Sequence, residues 1–271
     1  MLSFLDIALF ATLGLAAGTS SGMLGIGGGM VIVPGLFYLF SRMHLPSEAL
    51  MHFAAGTAMC IMVFTAASST LSHHLRGDVQ WSIFKNMIGF IGLGVVLGNL
   101  LSNHLNTLSL ELIFGLFLLV VSSKILLGWK PTFDETTEPS KGLSGLVGSI
   151  LGFKSGVLGI GGGAISVPFL LYCGLPMPRA SGTSASFTLP IAVVGALSFL
   201  LFSHPATQLA GATGYIYWPT VALVAPFTML GAPLGTILSH RIPRQQLRKV
   251  FALLLLVVGV RMLGGGLQGL A

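Results

Sequence analysis

Two glycine-rich runs are the residues of this chain best suited to chemistry. Residues 22–34 read GMLGIGGGMVIVP and residues 156–168 read GVLGIGGGAISVP, 134 positions further on. Glycine costs about 1 kcal/mol relative to alanine in a helix interior, so three consecutive glycines predict a helix break. A helix that begins at such a break presents free N–H groups and the positive end of its dipole, which attract anions. The predicted anion contacts are Gly27, Gly28, Gly29, Gly161, Gly162 and Gly163.

Polar side chains next to these runs complete a candidate binding site. Lys154 precedes the second run in an apolar segment, so it either faces a cavity that attracts anions or extends to a polar surface. Ser20 is its counterpart in the first half, which leaves positive charge on one side of the site only. Arg179 is either a surface anchor or a substrate contact. The further candidates are hydroxyls that either reach the substrate or bond within the helices: Ser21, Thr57, Ser155, Thr183 and Ser184.

The acidic residues indicate what the site does not bind. All seven fall in loops or near the ends of apolar segments. Cation transporters usually carry a carboxylate within the membrane, so this distribution favours an anionic or neutral substrate. We expect no metal and no cofactor. His52 is the one side chain placed to carry a proton near a helix, unless it is simply an interfacial residue.

A second chemistry comes from the residues Gly18-Thr19-Ser20-Ser21-Gly22, which match the Gly-x-Ser-x-Gly motif of serine hydrolases. A membrane hydrolase with Ser20 as nucleophile is therefore an alternative from a different class. Such an enzyme also needs a positioned histidine with an acidic partner, and the sequence offers no evident pair. We expect that the protein is not an enzyme.

The composition places these residues in a membrane. Hydrophobic residues make up 54% of the 271 positions and charged residues 7%, with a mean hydropathy of +0.92. A soluble domain carries about 25% charged residues. The net charge of +6 is then a signal of membrane topology and not of nucleic-acid binding.

The chain divides into ten apolar segments, five in each half. We predict a first transmembrane repeat over residues 1–128, a polar cytoplasmic linker over 129–141 and a second repeat over 142–271. Similarity between the halves continues beyond the glycine runs: Gly77 and Trp81 match Gly214 and Trp218. The second segment of each half is short, and either spans the membrane or is re-entrant. The predicted fold class is an all-α integral membrane protein built from two inverted repeats with glycine-rich breaks.

The basic residues predict the orientation. If each segment crosses once and the N-terminus is periplasmic, ten of the 13 Lys and Arg residues fall on the cytoplasmic side. Because each half has an odd number of crossings, both termini lie outside and the halves are inverted relative to each other. Inverted repeats place the ligand site near their pseudo-two-fold axis.

The duplicated motif GxLGIGGGxxxVP, followed in each half by a Gly-Thr helix start (Gly56-Thr57 and Gly182-Thr183), resembles the TauE/SafE family of sulfite exporters. The resemblance covers essentially the whole chain. It implies a permease of the bacterial inner membrane that moves sulfur-containing anions such as sulfite, thiosulfate or organosulfonates.

We therefore expect a secondary transporter, in the export direction, that binds a small oxyanion between two broken helices and works by alternating access. A passive anion channel with the same site is the main alternative. The expected partners are the small anion and the lipid bilayer, with no nucleic acid, and the glycine content permits a homodimer without requiring one.

Overall fold

Ten α-helices account for most of the described chain. The computed structural model describes residues 4–25, 27–127, 139–202, 209–238 and 244–268. Within these ranges the helices are α1 (Phe4–Leu24), α2 (Gly29–Arg42), α3 (Leu50–His74), α4 (Trp81–Ser102), α5 (Thr107–Leu126), α6 (Lys141–Leu158), α7 (Gly163–Tyr172), α8 (Met177–Leu201), α9 (Trp218–Leu238) and α10 (Arg244–Gln268). A two-residue hairpin, β1 (Ala212–Thr213) with β2 (Ile216–Tyr217), precedes α9.

Seven of the described helices are long and apolar enough to cross a membrane: α1, α3, α4, α5, α8, α9 and α10. The apolar helices α2 and α7 are shorter, with 14 and 10 residues, because each starts at a glycine run. The prediction of an all-α integral membrane protein is therefore confirmed. Of the predicted linker, residues 129–138 lie outside the described ranges, and Lys141 begins α6.

Local signals explain several helix ends. The side chain of Asn106 accepts a hydrogen bond of 2.8 Å from the Ser109 N–H at the start of α5. The Ser140 hydroxyl does the same for the Leu143 N–H at the start of α6, at 3.3 Å. Each cap satisfies one of the backbone donors that the first turn of a helix leaves free.

Glycines form two close seams between long helices. The glycines of α1 lie against the backbone of α9, and the α6 glycines from Gly145 to Gly156 lie against α4. In both pairs the helices run parallel. A Cβ at Gly152 would overlap the Ile91 carbonyl oxygen, and a Cβ at Gly98 would overlap that of Phe153. The glycines at four-residue spacing upstream of each run, Gly14, Gly18 and Gly22 in α1 and Gly148, Gly152 and Gly156 in α6, thus let two helices pack closely.

The helices α3 and α8 pack on each other at the centre. Thr70, near the end of α3, donates a 3.2 Å hydrogen bond to the carbonyl of Ala185, near the start of α8. Met59, near the start of α3, contacts Gly195, near the end of α8. The two helices therefore run antiparallel. Nearly all of the first half of α3 is buried, which puts it in the core beside both glycine runs.

Candidate functional site

The two glycine runs break the chain between helices, as predicted. In the first run, Gly25, Gly27 and Gly28 have φ values of 65°, 83° and 73°, and α2 begins at Gly29. In the second run, Gly159 has φ of 68° and closes α6, and α7 begins at Gly163. Positive φ is strained for residues with a Cβ, so the backbone itself requires glycine at these positions.

The two breaks lie against each other in the protein interior. A Cβ at Gly29 would come within 2.9 Å of the Ile160 Cα and 3.1 Å of the Gly161 nitrogen. A Cβ at Gly27 would come within 3.3 Å of the Gly161 Cα. The backbones of the two runs are thus in direct contact, and all of these residues are buried. Two stretches that are 134 positions apart in the sequence are therefore neighbours in the fold.

Backbone donors of the second break remain available there. The N–H groups of Ile165 and Ser166 both donate to the Gly162 carbonyl, at 3.1 Å. Among the described residues, the N–H groups of Gly162 and Gly163 have no hydrogen-bond acceptor. Donors at the start of a helix beside a buried break can bind an anion's oxygens.

A pair of hydroxyls lies beside the first break. The Ser184 hydroxyl of α8 donates to the Gly25 carbonyl at 2.7 Å. The Ser166 hydroxyl of α7 lies 2.7 Å from the Ser184 hydroxyl. Ser184 was predicted from sequence, whereas Ser166 was not. The sequence feature that could have identified Ser166 is its place in the second run, where the equivalent residue of the first run is the apolar Ile32. This pair connects α7, α8 and the end of α1, so it fixes the first break from the second half of the chain.

The predicted site residues Thr57 and Thr183 do not bond to the glycine runs but to segments that precede other helices. The Thr183 hydroxyl accepts a 2.9 Å hydrogen bond from the Gln80 N–H, and the Thr57 hydroxyl accepts one of 3.0 Å from the Tyr217 N–H. These equivalent bonds attach α8 and α3 to the loops before α4 and α9. Both hydroxyls thus bind backbone of the opposite half.

Lys154 reaches the second break from α6. Its Nζ donates to the Gly161 carbonyl at 2.9 Å and lies 5.1 Å from the ring centroid of Phe117. The ammonium therefore holds a carbonyl that the break has released from helical bonding. This contact places the amino group of Lys154 directly on the glycine run.

The remaining predicted residues divide into three kinds. The Ser20 and Ser155 hydroxyls bond back to their own helix, to the Ala16 and Leu151 carbonyls at 2.7 Å. Ser21 is fully buried, and its hydroxyl has no partner among the described residues. Arg179 is exposed at the start of α8.

Two histidines take up defined positions. His52 lies with its Nε2 3.0 Å from the Ser102 carbonyl and its ring 5.0 Å from that of Tyr215. His73 lies with Nδ1 3.4 Å from Asp78 Oδ2 and Nε2 3.2 Å from the Gly22 carbonyl. Sequence reasoning missed this His–Asp pair, because the residues are brought together by the turn at Gly77, where φ is 74°.

The hydrolase geometry is not formed at Ser20. This residue lies inside α1, not on the strand-to-helix turn that exposes the nucleophile of serine hydrolases. The groups of three or more His, Cys, Asp or Glu that could hold a metal ion are likewise absent from the described residues.

Membrane-length helices around two buried breaks that contact each other define a multi-pass membrane protein. The chain belongs to the sulfite exporter TauE/SafE family, whose model matches residues 10–262. It is 33% identical to a probable membrane transporter protein of Haemophilus influenzae, over 96% of this chain and 98% of that protein. The probable membrane transporter protein YunE of Bacillus subtilis is 26% identical, over 97% and 99% of the two chains. No solved structure matches the chain. The protein is thus a membrane transporter of this family.

Proposed function

We propose that this transporter moves a small sulfur-containing oxyanion, such as sulfite, thiosulfate or an organosulfonate, and binds it where the two broken helices meet. The observation that carries the proposal is the contact of the Gly27–Gly29 run with Ile160 and Gly161. The N–H groups of Gly162 and Gly163 provide donors there, and Lys154 provides positive charge beside them. Oxyanions are well matched to such donors, and the family name adds sulfite as the first candidate.

The arrangement of helices supports two inverted repeats. Equivalent helices run antiparallel in two pairs, α3 with α8 and α5 with α10, whereas α1 runs parallel to α9 and α4 runs parallel to α6. These are the relative directions that follow if every segment crosses the membrane once. A pseudo-two-fold axis in the membrane plane would then pass near the two breaks. The distribution of basic residues favours periplasmic termini in a bacterial inner membrane.

Alternating access would come from movement of one half against the other around the two breaks. The first break is bonded to Ser184 of α8 and the second to Lys154 of α6, so both runs are attached to long helices of the second half. Export is the direction that we propose, following the family. A passive channel would use the same site without this movement.

The test is flux of radiolabelled sulfite in proteoliposomes, with thiosulfate and short sulfonates as competitors. We expect saturable flux in the wild type that these anions compete. Gly28→Leu and Gly162→Leu should abolish it, and Lys154→Ala should reduce it by about tenfold or more, the effect of losing a charged hydrogen bond. Gly89→Leu is the control, since the space around Gly89 is open for at least 4 Å.

The possible results separate the alternatives. Flux that never saturates, or single-channel currents in a planar bilayer, would favour the channel. Full activity of a well-folded Gly28→Leu, Gly162→Leu double variant would show that the breaks are not the binding site. A wild type that transports none of these anions would refute the proposed substrate class.

A further inference from the structure

We propose that His73 and Asp78 form the binding site for a proton that is coupled to the transport cycle. The inference rests on the proposed transport function for its coupling step, but the proton site itself stands on separate observations. His73 belongs to the last turn of α3, and Asp78 to the turn that leads into α4. Their side chains are 4% and 15% exposed, so the pair is largely buried with an edge at the surface.

The ring of His73 faces two hydrogen-bond acceptors. Its Nδ1 lies 3.4 Å from the Asp78 carboxylate and its Nε2 lies 3.2 Å from the Gly22 carbonyl. A neutral imidazole has a single N–H and can serve only one acceptor, whereas an imidazolium has two and serves both. The geometry around His73 is therefore completed by a proton taken from water, with the positive charge balanced by Asp78.

The other half of the molecule makes the equivalent backbone bond between residues that do not form a titratable pair. The Asp78 N–H donates to the His73 carbonyl at 3.0 Å, and the Tyr215 N–H donates in the same way to the Phe199 carbonyl at 3.3 Å. At this equivalent turn the side chains are two aromatic rings, 6.3 Å apart. Phe199 and Tyr215 make the equivalent backbone bond across a longer connection, 16 positions against five, so this bond does not require a titratable pair.

The proton would act on the first break. The Gly22 carbonyl belongs to the last turn of α1, three residues before the break begins at Gly25. With the proton bound, His73 joins the end of α1 to the end of α3 and to the loop before α4. Without it, one of these two contacts is lost. Protonation therefore controls how firmly the end of α1, and with it the first glycine run, is held.

Buried hydroxyls next to the pair provide polar surroundings on the inner side. Ser69 lies one turn before His73 on α3, and Ser21 directly precedes Gly22. Both are fully buried, and neither hydroxyl has a partner among the described residues. Buried polar groups are otherwise nearly always bonded, so these two hydroxyls leave hydrogen-bonding capacity near the pair.

Among the residues that the structure describes, few other charges act on the ring. Arg76 lies three residues after His73, and its charge opposes that of an imidazolium. His74 is exposed and bonded to the Trp81 indole, and Lys85 and Arg179 lie near the same ends of α4 and α8. The described part of α9 and the second half of α1 carry no titratable side chain. Asp78 is thus the group that balances the proton.

The first experiment measures the proton directly and needs no transport substrate. In protein labelled with ¹³C and ¹⁵N at histidine, NMR follows the rings from about pH 5 to about pH 9, where histidine charge changes occur. His73→Phe, which copies the Phe199 of the equivalent turn, should remove one titrating signal, and Asp78→Asn should shift the midpoint of that signal to lower pH. His74→Gln is the control and should leave it unchanged. A His73 ring that does not titrate in this range, or that ignores Asp78→Asn, overturns the proton site.

The second experiment tests coupling. Transport of thiosulfate and of methanesulfonate is measured in proteoliposomes over the same pH range, because the charge of these anions is constant there. We expect wild-type flux to change several-fold with pH, and that of His73→Phe by less than about twofold. A His73→Phe variant that retains the wild-type pH profile overturns the coupling. Absence of wild-type flux of any of these anions counts against the proposed function and, with it, against coupling, whereas the NMR titration still decides whether the proton site exists.

Discussion

Gly28 and Gly162 occupy equivalent places in the two runs but have different backbones. Gly28 has φ of 73° and precedes α2, whereas Gly162 has φ of −75° and precedes α7. We expect Gly28→Ala to destabilise the protein by about 1–3 kcal/mol, because its conformation is strained for any residue with a Cβ. Gly162→Ala should change stability by less than about 1 kcal/mol, since its φ is ordinary. Thermal unfolding of the two variants in detergent measures the difference.

The surroundings of Gly28 and Gly162 also make Gly28→Ala the more destabilising of the two substitutions. A Cβ at Gly28 would lie 2.9 Å from the Ala17 carbonyl oxygen, which is backbone and cannot move aside easily. A Cβ at Gly162 would meet only side-chain ends of Ile191 and Leu151, both at 3.1 Å. If Gly28→Ala and Gly162→Ala lost the same amount of stability, the two breaks would not have the different backbone conformations described.

At this scale the sequence predicted the backbone better than the side chains. Runs of glycine determine the breaks locally, so both were predictable. The partners of Ser184 and His73 were not, because Gly25 lies 159 positions from Ser184 and Gly22 lies 51 positions from His73. Hydroxyls and imidazoles take whichever partner the tertiary structure provides. For this reason Thr57 and Thr183 turned out to bind loop backbone.

The helices themselves were predictable in number and approximate bounds, because apolar segments of membrane length alternate with short polar turns. Which helices are neighbours was not predictable from that pattern. The α4–α6 seam depends on glycines that accept the facing backbone, and glycine alone does not show which helix it faces. Gly92 and Gly98 illustrate this, since both lie in α4 and only Gly98 is at the seam.

The different surroundings of Gly92 and Gly98 give a prediction for the packing of α4. A Cβ at Gly98 would overlap the Phe153 carbonyl oxygen of α6, so Gly98→Ala forces two helices apart and should cost about 3 kcal/mol or more. Gly92→Ala meets open space and should stabilise the protein by up to about 1 kcal/mol through helix propensity. The apparent unfolding temperature in detergent should fall for the first variant only. A tolerant Gly98 would show that the seam is looser than described.

In the whole molecule the halves depend on each other. The α1–α9 seam and the α4–α6 seam each join a helix of the first half to a helix of the second, and α3 also packs on α8. Neither half retains these contacts when it is alone. The folded protein therefore needs the contacts between both halves, although its sequence reads as two repeats.

We expect the two halves to assemble when they are expressed together as separate chains, but not to fold when either is expressed alone. Residues 1–128 and 139–271, expressed together as separate chains, should assemble and transport, because the cut removes no contact among the described residues. Either half alone should fail to fold, because the glycine faces of its seams have no partner. Co-purification through a tag on one half measures the assembly. Gly98→Ala in the first half should prevent it, whereas Gly92→Ala should not. If one half alone gave a stable monodisperse protein, the seams would be weaker than their close backbone contacts indicate.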